Sequence, residues 1–294
     1  MRYAFYPGCT LHSTSREYDL STREVCRRLG IELTEVPDWI CCGATSAHVS
    51  MHLLAVALPV KNLWAARTMT GTKNGDQVLT CCAACYNRLK TANQEMAEDQ
   101  EIRNQVNELL EIDYRGEVKV RHLLEVILED VGIDALRLKA SKRMEGLKVA
   151  SYYGCLLVRP PKVMQFDDPE QPHSMDDLLT AVGAQTIDWP YNIECCGASL
   201  SLTRTEIVLR LCHDILADAQ ARGADCLAVA CPMCQYNLDA LQSEIEAAYG
   251  VRLGLPILYF TQILGLALGL EGKELGLDRH MVDPNPLLKT KGFI

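Results

Sequence analysis

Val149-Ala-Ser-Tyr-Tyr-Gly-Cys155 repeats, 146 residues on, the opening stretch Tyr3-Ala-Phe-Tyr-Pro-Gly-Cys9. Outward from that pair, two further stretches recur in the same order. Asp38-Trp-Ile-Cys-Cys-Gly-Ala44 returns as Tyr191-Asn-Ile-Glu-Cys-Cys-Gly-Ala198, and Cys82-Ala-Ala-Cys85, followed by Tyr86-Asn87, returns as Cys231-Pro-Met-Cys234, followed by Gln235-Tyr236-Asn237. The second offset widens to 154 residues because a Pro-rich stretch, residues 159–172, follows Cys155; such composition reads as a surface loop. A self-similar chain is a duplicated supersecondary unit. The organisation expected is a first cysteine-rich module over 1–140, a second over 146–270, and a C-terminal tail over 271–294. From Glu274 on, with Pro284, Asn285 and Pro286, the tail lacks periodicity and is expected to fray or to lie on a partner protein.

Within each module, short apolar runs bounded by turn residues alternate with helical patterns. In the second module the strands are expected over 148–153, 185–189 and 225–230. Thr14-x-x-Glu17 and Ser174-x-x-Asp177 have capping-box spacing, and Gly30 and Gly183 sit where those helices should stop. Alternation of this kind predicts an α/β fold: two Rossmann-like modules with mostly parallel sheets, related by the internal repeat about a pseudo-twofold axis. Residues 253–270 are uncharged, yet Pro256, Thr261 and Gln262 interrupt them, and the run reads as a buried strand leading into a buried helix.

Strand placement also places the cysteines. Cys9 and Cys155 follow a first strand, Cys41-Cys42 and Cys195-Cys196 a second, and the two CxxC pairs a third. Ligands of open parallel sheets gather beyond the carboxyl ends of the strands, so five thiolates per module converge on one crevice. The chain has 294 residues, 48% of them apolar, which excludes disorder, collagen and coiled coil. Its 29 basic and 38 acidic residues leave a net charge of −9, which disfavours a nucleic-acid partner. No signal-peptide pattern opens it, so a cytoplasmic, reducing compartment without a direct membrane span is expected, and the 14 cysteines read as metal ligands rather than disulfides. Tetrahedral zinc takes four ligands, usually from two CxxC pairs or added histidines, and a thioredoxin-like pair explains only two cysteines of five. Five soft donors at one site suit an iron–sulfur cluster better, although the usual ferredoxin run is absent.

Cys9-x31-Cys41-Cys42-Gly43-x38-Cys82-x2-Cys85 and Cys155-x39-Cys195-Cys196-Gly197-x33-Cys231-x2-Cys234 resemble the paired CCG motifs of heterodisulfide reductase B subunits over nearly the whole chain. The resemblance implies that these ten cysteines, Cys9, Cys41, Cys42, Cys82, Cys85, Cys155, Cys195, Cys196, Cys231 and Cys234, hold two noncubane [4Fe-4S] clusters. It implies reversible two-electron reduction of a mixed disulfide lodged between the clusters, such as the coenzyme M–coenzyme B heterodisulfide or a bacterial equivalent. The ferredoxin-like C and flavin-containing A components of heterodisulfide reductase are the implied partner subunits, because the chain has neither a GxGxxG fingerprint nor a ferredoxin motif of its own. Other readings are an iron–sulfur electron-transfer or scaffold subunit of another redox complex, serving sulfur oxidation or aromatic-ring reduction, and a zinc-binding interaction protein.

Cys81 competes with Cys82, but alignment of the repeats favours Cys82. Cys81, Cys26, Cys212 and Cys226 read as core thiols. His12, His48 and Arg204 lie close to ligand positions and are the candidates for binding an anionic substrate or moving a proton. Tyr6 and Tyr153 precede a ligand in each half, and Met233, between two ligands, reads as wall.

Overall fold

The computed structural model describes residues 1–69 and 76–294. Among these, eight strands form two four-stranded, all-parallel sheets. The first contains β1 (Arg2–Phe5), β2 (Glu32–Glu35), β3 (Gln77–Thr80) and β4 (Lys119–His122) in the order β2-β1-β3-β4. The second contains β5 (Lys148–Tyr152), β6 (Gln185–Thr186), β7 (Cys226–Val229) and β8 (Ile257–Tyr259) in the order β6-β5-β7-β8. Both orders reverse direction beside the first strand, the place where an open α/β sheet leaves a crevice. The central strands β5 and β7 are buried on both faces, as their continuous apolar sequence requires.

The first sheet has four strands where the alternating pattern suggested three. β4 escapes detection because Lys119-Val-Arg-His122 carries three polar side chains, of which Arg121 is 3% exposed and pairs with Glu125, Glu129 and Asp130 at 2.6–2.8 Å. Its counterpart β8 runs straight into the buried helix Phe260–Ala267, as residues 253–270 suggested.

The helix Arg16–Leu29 ends at Gly30, whose φ of +82° supplies the left-handed cap. Neither expected capping box forms. Ser15 and His173 occupy the two N-cap positions without a side-chain cap bond. At the helix Ser174–Ala181, Asp167 accepts from the His173 and Ser174 amides, and the Tyr153 hydroxyl accepts from the Met175 and Asp176 amides at 2.9 and 3.1 Å. Those partners satisfy the free donors that a capping box would otherwise meet.

The modules meet symmetrically. Helix Arg16–Leu29 packs on helix Phe260–Ala267, and helix Ser174–Ala181 packs on the turn Leu123–Val126. At the seam the Tyr18 and Tyr259 rings stack 3.9 Å apart, Ser21 and Thr261 hydroxyls bond at 2.7 Å, and the Ala83 amide donates to the Ala230 carbonyl at 3.2 Å.

Two expectations change. The stretch 159–172 is not a free surface loop: Met164 is buried, and Asn87 of the first module donates to the carbonyls of Leu156 and Arg159 at 3.3 and 2.8 Å. Nor does the tail fray. Leu277, Leu288 and Phe293 are buried, Asn285–Thr290 is helical, and Lys291 pairs with Asp225 at 2.7 Å. Scattered apolar anchors without a helical period hide such packing from the sequence.

Candidate iron–sulfur site

In both halves the cysteines lie beyond the carboxyl ends of the strands. Cys9 follows β1 and Cys155 follows β5; the two CCG loops follow β2 and β6; Cys82 and Cys231 are the N-caps of the helices Ala83–Glu98 and Pro232–Asp239. A CxxC beginning at an N-cap puts both sulfurs on the first turn, where free amides and the positive end of the helix favour thiolate.

The thiols form a row that crosses from one module to the other. Cys9 Sγ lies 3.8 Å from Cys41 Sγ, and Cys42 Sγ lies 3.5 Å from Cys85 Sγ. Cys85 reaches Cys82, and Cys82 reaches Cys231 across the seam. Beyond it, Cys231 reaches Cys234, Cys234 Sγ stands 3.5 Å from Cys196 Sγ, and Cys195 meets Cys155. All five second-module thiols line one cavity, with Tyr153, Met233 and, from the first module, Ala83. Met233 is thus wall. Cys9, Cys41 and Cys195 are exposed, so both ends of the row open to solvent. Among the described residues no three His, Cys, Asp or Glu side chains are gathered around the position of a single metal ion.

Hydrogen bonding sets the thiols' acidity. Cys155, and then the Gly197 amide at 3.3 Å, donate to Cys195 and draw its thiol down to about 6. Cys42 is lowered by bonds from Cys41 and Cys85, and Cys231 by bonds from Cys234 and Cys82. The neighbours Cys41, Cys82, Cys85, Cys155 and Cys234 are raised by those same bonds and by burial, while burial raises Cys26, Cys212 and Cys226, and pushes Cys81 up to about 12. Cys81 turns toward Thr22 and away from the row. These four are the core thiols expected, and Cys82, not Cys81, joins its half of the row.

The donor set fits a polynuclear iron–sulfur group. It is all cysteine sulfur, five to a half, and glycine is required against it: Gly8 and Gly154 have φ of +74° and +65°, and a Cβ on them would lie 2.8 Å from Cys85 Sγ and 3.2 Å from Cys234 Sγ. The Gly43 and Gly197 amides donate to Cys41 and Cys195 at 3.4 and 3.3 Å, the backbone-to-sulfur bonding that steadies ligated thiolates.

Tyr6 donates to the Ile40 carbonyl at 2.8 Å, and Tyr152, not Tyr153, does the same to the Glu194 carbonyl at 2.6 Å. The matching tyrosines therefore tie each first-strand end to its CCG loop, while Tyr153 caps a helix. His12 pairs with Glu35 at 3.3 Å, His48 is exposed on the turn Ala47–Ser50, and Arg204 is 68% exposed beside Glu206. None of the three hydrogen-bonds a thiol among the described residues.

Two positioning groups were not legible. Asn62 brackets Ile40, accepting from its amide at 2.8 Å and donating to its carbonyl at 3.0 Å. Asn237 donates to the Cys196 and Ala198 carbonyls at 3.1 and 2.9 Å. Asn87 and Asn237, which look equivalent in the repeat, stand two and three residues after their cysteines and so face different neighbours.

The cysteine-rich CCG domain family matches residues 3–90 and 149–239. The chain is 32% identical over 97% of its length to the 8-methylmenaquinol:fumarate reductase membrane anchor subunit of Wolinella succinogenes, covering 98% of that protein. It is 30% identical to the B subunit of the ferredoxin:CoB-CoM heterodisulfide reductase of Methanosarcina mazei, with 96% and 94% of the two chains covered. A hypothetical protein from Helicobacter pylori has the same fold at a TM-score of 0.77 and 17% identity; the match takes in 96% of this chain and 52% of that one. Among the described residues no helix is long and apolar enough to cross a membrane.

Proposed function

Since the chain belongs to the cysteine-rich CCG domain family, which makes it a redox subunit related to heterodisulfide reductase B subunits, we propose that it is the catalytic subunit of a heterodisulfide-reductase-like complex. Its reaction is the reversible two-electron reduction of a mixed disulfide at the seam. On this reading the ten cysteines of the row hold two noncubane [4Fe-4S] clusters, five to each half. Such clusters, when bound, supply single electrons and iron sites with affinity for sulfur. The observation that carries the reading is the row itself: two thiol sets of the same pattern meet at Cys82 and Cys231, so a substrate with two sulfurs finds sulfur donors on either side.

The protein's own groups prepare that meeting place. Gly43 and Gly197 amides, with the helix starts at Cys82 and Cys231, hold negative sulfur in place. Tyr6, Tyr152, Asn62 and Asn237 lock the loops that carry the exposed thiols. Electrons come from partner proteins, the ferredoxin-like C and flavin-containing A components, and the complex works in the cytoplasm. Anaerobic analysis should give about eight irons per chain for two four-iron clusters, and a paramagnetic signal should develop when a thiol is added to the oxidised complex. Full iron with no response to any thiol or disulfide would exclude disulfide chemistry.

That outcome would favour a second reading, suggested by the Wolinella relative, whose name assigns it to a complex acting on fumarate. The same row would then conduct electrons within another oxidoreductase without touching a disulfide.

A further inference from the structure

Next to the second thiol set lies a group of ionisable side chains that the reading above does not use. Glu17, in the first turn of helix Arg16–Leu29, is 4% exposed, and Asp239, at the end of helix Pro232–Asp239, is 2% exposed. One belongs to each module, and the tail closes over both. Gly276 packs so tightly on Glu17 that a Cβ there would lie 2.7 Å from the Glu17 Cβ. Asp239 accepts from the Met281 and Val282 amides at 2.8 and 3.1 Å and from Gln235 Nε2 at 3.0 Å. Gln235 directly follows Cys234. His280 bonds Gln262 at 2.8 Å and stands 4.0 Å from Asp239, with Asp278 and Asp283 beyond it. Tyr259 feels the charge of Glu17 and that of Cys231 and Cys82, and it stacks 3.9 Å from Tyr18, the residue after Glu17, whose hydroxyl donates to the Cys81 carbonyl at 2.6 Å.

The two carboxyls differ in one decisive way. Burial raises both carboxyls, but three donors to Asp239 work against that rise, because hydrogen bonds to a carboxylate favour its charged form. No side-chain donor reaches Glu17 among the described residues; it has its own helix amide, with Arg279 as the neighbouring cation and Asp239 as the neighbouring anion. An electron entering the buried row adds negative charge where little water screens it, and the group that yields most easily to that charge is a buried carboxylate not tied down by donors.

We propose that Glu17 is the proton-accepting group of the seam, taking up a proton from solvent as electrons enter the thiol row. This rests on the disulfide-reducing reading and completes its balance. The disulfide RS–SR′ takes two electrons from the partner's iron–sulfur carrier and two protons from solvent, its S–S bond breaks, and RSH and R′SH leave. Glu17 gains one proton as charge arrives and releases it as product thiol forms. Burial raises the Glu17 carboxyl to about 7, with Asp239 adding to the rise and Arg279 opposing it, so the group is poised for neutral conditions.

The test counts protons without substrate, and therefore stands apart from turnover. The full chain, purified anaerobically with its iron, is reduced by titanium(III) citrate in weak buffer with a pH indicator. Wild type should take up more protons than Glu17→Gln, by up to one per chain, with the excess greatest above pH 7 and absent near pH 5. Arg279→Gln, at an exposed position, should move that excess to higher pH while leaving iron content unchanged. Equal proton uptake by wild type and Glu17→Gln from pH 6 to 9, or an excess that Arg279→Gln leaves in place, overturns the proposal. Failure of disulfide turnover with the proton excess intact would overturn only the reading beneath it.

Discussion

Gly8→Ala separates the strain of a glycine position from its service to the thiol row. Gly8 and Gly30 have similar φ values, +74° and +82°, so alanine at either meets the left-handed penalty of about 1–2 kcal/mol. Nothing lies within 4 Å of a Cβ at Gly30, whereas at Gly8 it would stand 2.8 Å from Cys85 Sγ. Ordinary contact begins at 3.4 Å, so sulfur or loop must retreat by about 0.6 Å, against a metal–ligand tolerance of about 0.2 Å. Gly154 is the graded comparison. Its Cβ would lie 3.2 Å from Cys234 Sγ and needs only about 0.2 Å of relief, within that tolerance.

The assay is iron and sulfide per chain after anaerobic purification, beside the thermal midpoint. Gly30→Ala should keep about eight irons and lose about 2–8 °C, taking about 2–4 °C per kcal/mol for a unit of this size. Gly154→Ala should also keep its iron. Gly8→Ala should suffer a similar thermal loss yet retain about four irons, those of the second half. Full iron in Gly8→Ala would show that the first thiol set is not held where ligation needs it.

Cys82→Ala should lose the iron of its half and Cys81→Ala should retain it, read by the same analysis; the reverse would exchange the two cysteines' roles. His122 is buried neutral, its Nε2 donating to the Cys81 carbonyl at 2.9 Å and its Nδ1 accepting from the Leu124 amide at 3.2 Å, and burial lowers it to about 4. The unfolded chain takes that proton below about 6.5 and the folded chain does not. This contribution, about 3 kcal/mol, is therefore complete above pH 6.5 and lost as pH falls toward 4, which urea unfolding at pH 7.5 and 5 will show. Arg121→Met should destabilise by about 3 kcal/mol or more, because it removes the guanidinium 2.8 Å from the buried Glu125 carboxylate and leaves it only Lys119 at 3.7 Å and the Tyr86 hydroxyl, whereas Arg115→Met, in a pair more than two-thirds exposed, should stay within about 1 kcal/mol in the same unfolding series.

The duplication, the parallel strands and the crevice were legible because each leaves a local mark: apolar runs, turn residues, and cysteines after three strands of each sheet. β4 was not, since its buried Arg121 is made tolerable only by Glu125, Glu129 and Asp130, acids that the chain supplies several residues later. The stretch after Cys155 looked like a loop because proline dominates it; its anchors, Asn87 and Tyr86, belong to the other module. Capping boxes failed for a related reason. A local motif loses when a distant side chain, such as Asp167 or Tyr153, meets the same amides.

Two halves so alike in cysteines differ in chemistry for the same reason. After its second CxxC cysteine, the first half places Tyr86 beside Glu125 and the Arg121 ion cluster, while the second half places Gln235 beside Asp239 and His280. Duplication repeats the sulfur donors, but the shell around them answers to different neighbours. The charges and hydrogen bonds that surround a metal centre tune it as strongly as its ligands do. If each half holds a four-iron centre as proposed, two centres in such unlike shells should reduce in two resolvable steps in a spectroscopic redox titration of the complex. Gln235→Leu, which cuts the link to Asp239 and His280, should move one step and leave the other in place. Two steps moving together under that substitution, or one step in the unaltered protein, would mean that the seam, not the shells, sets the potentials.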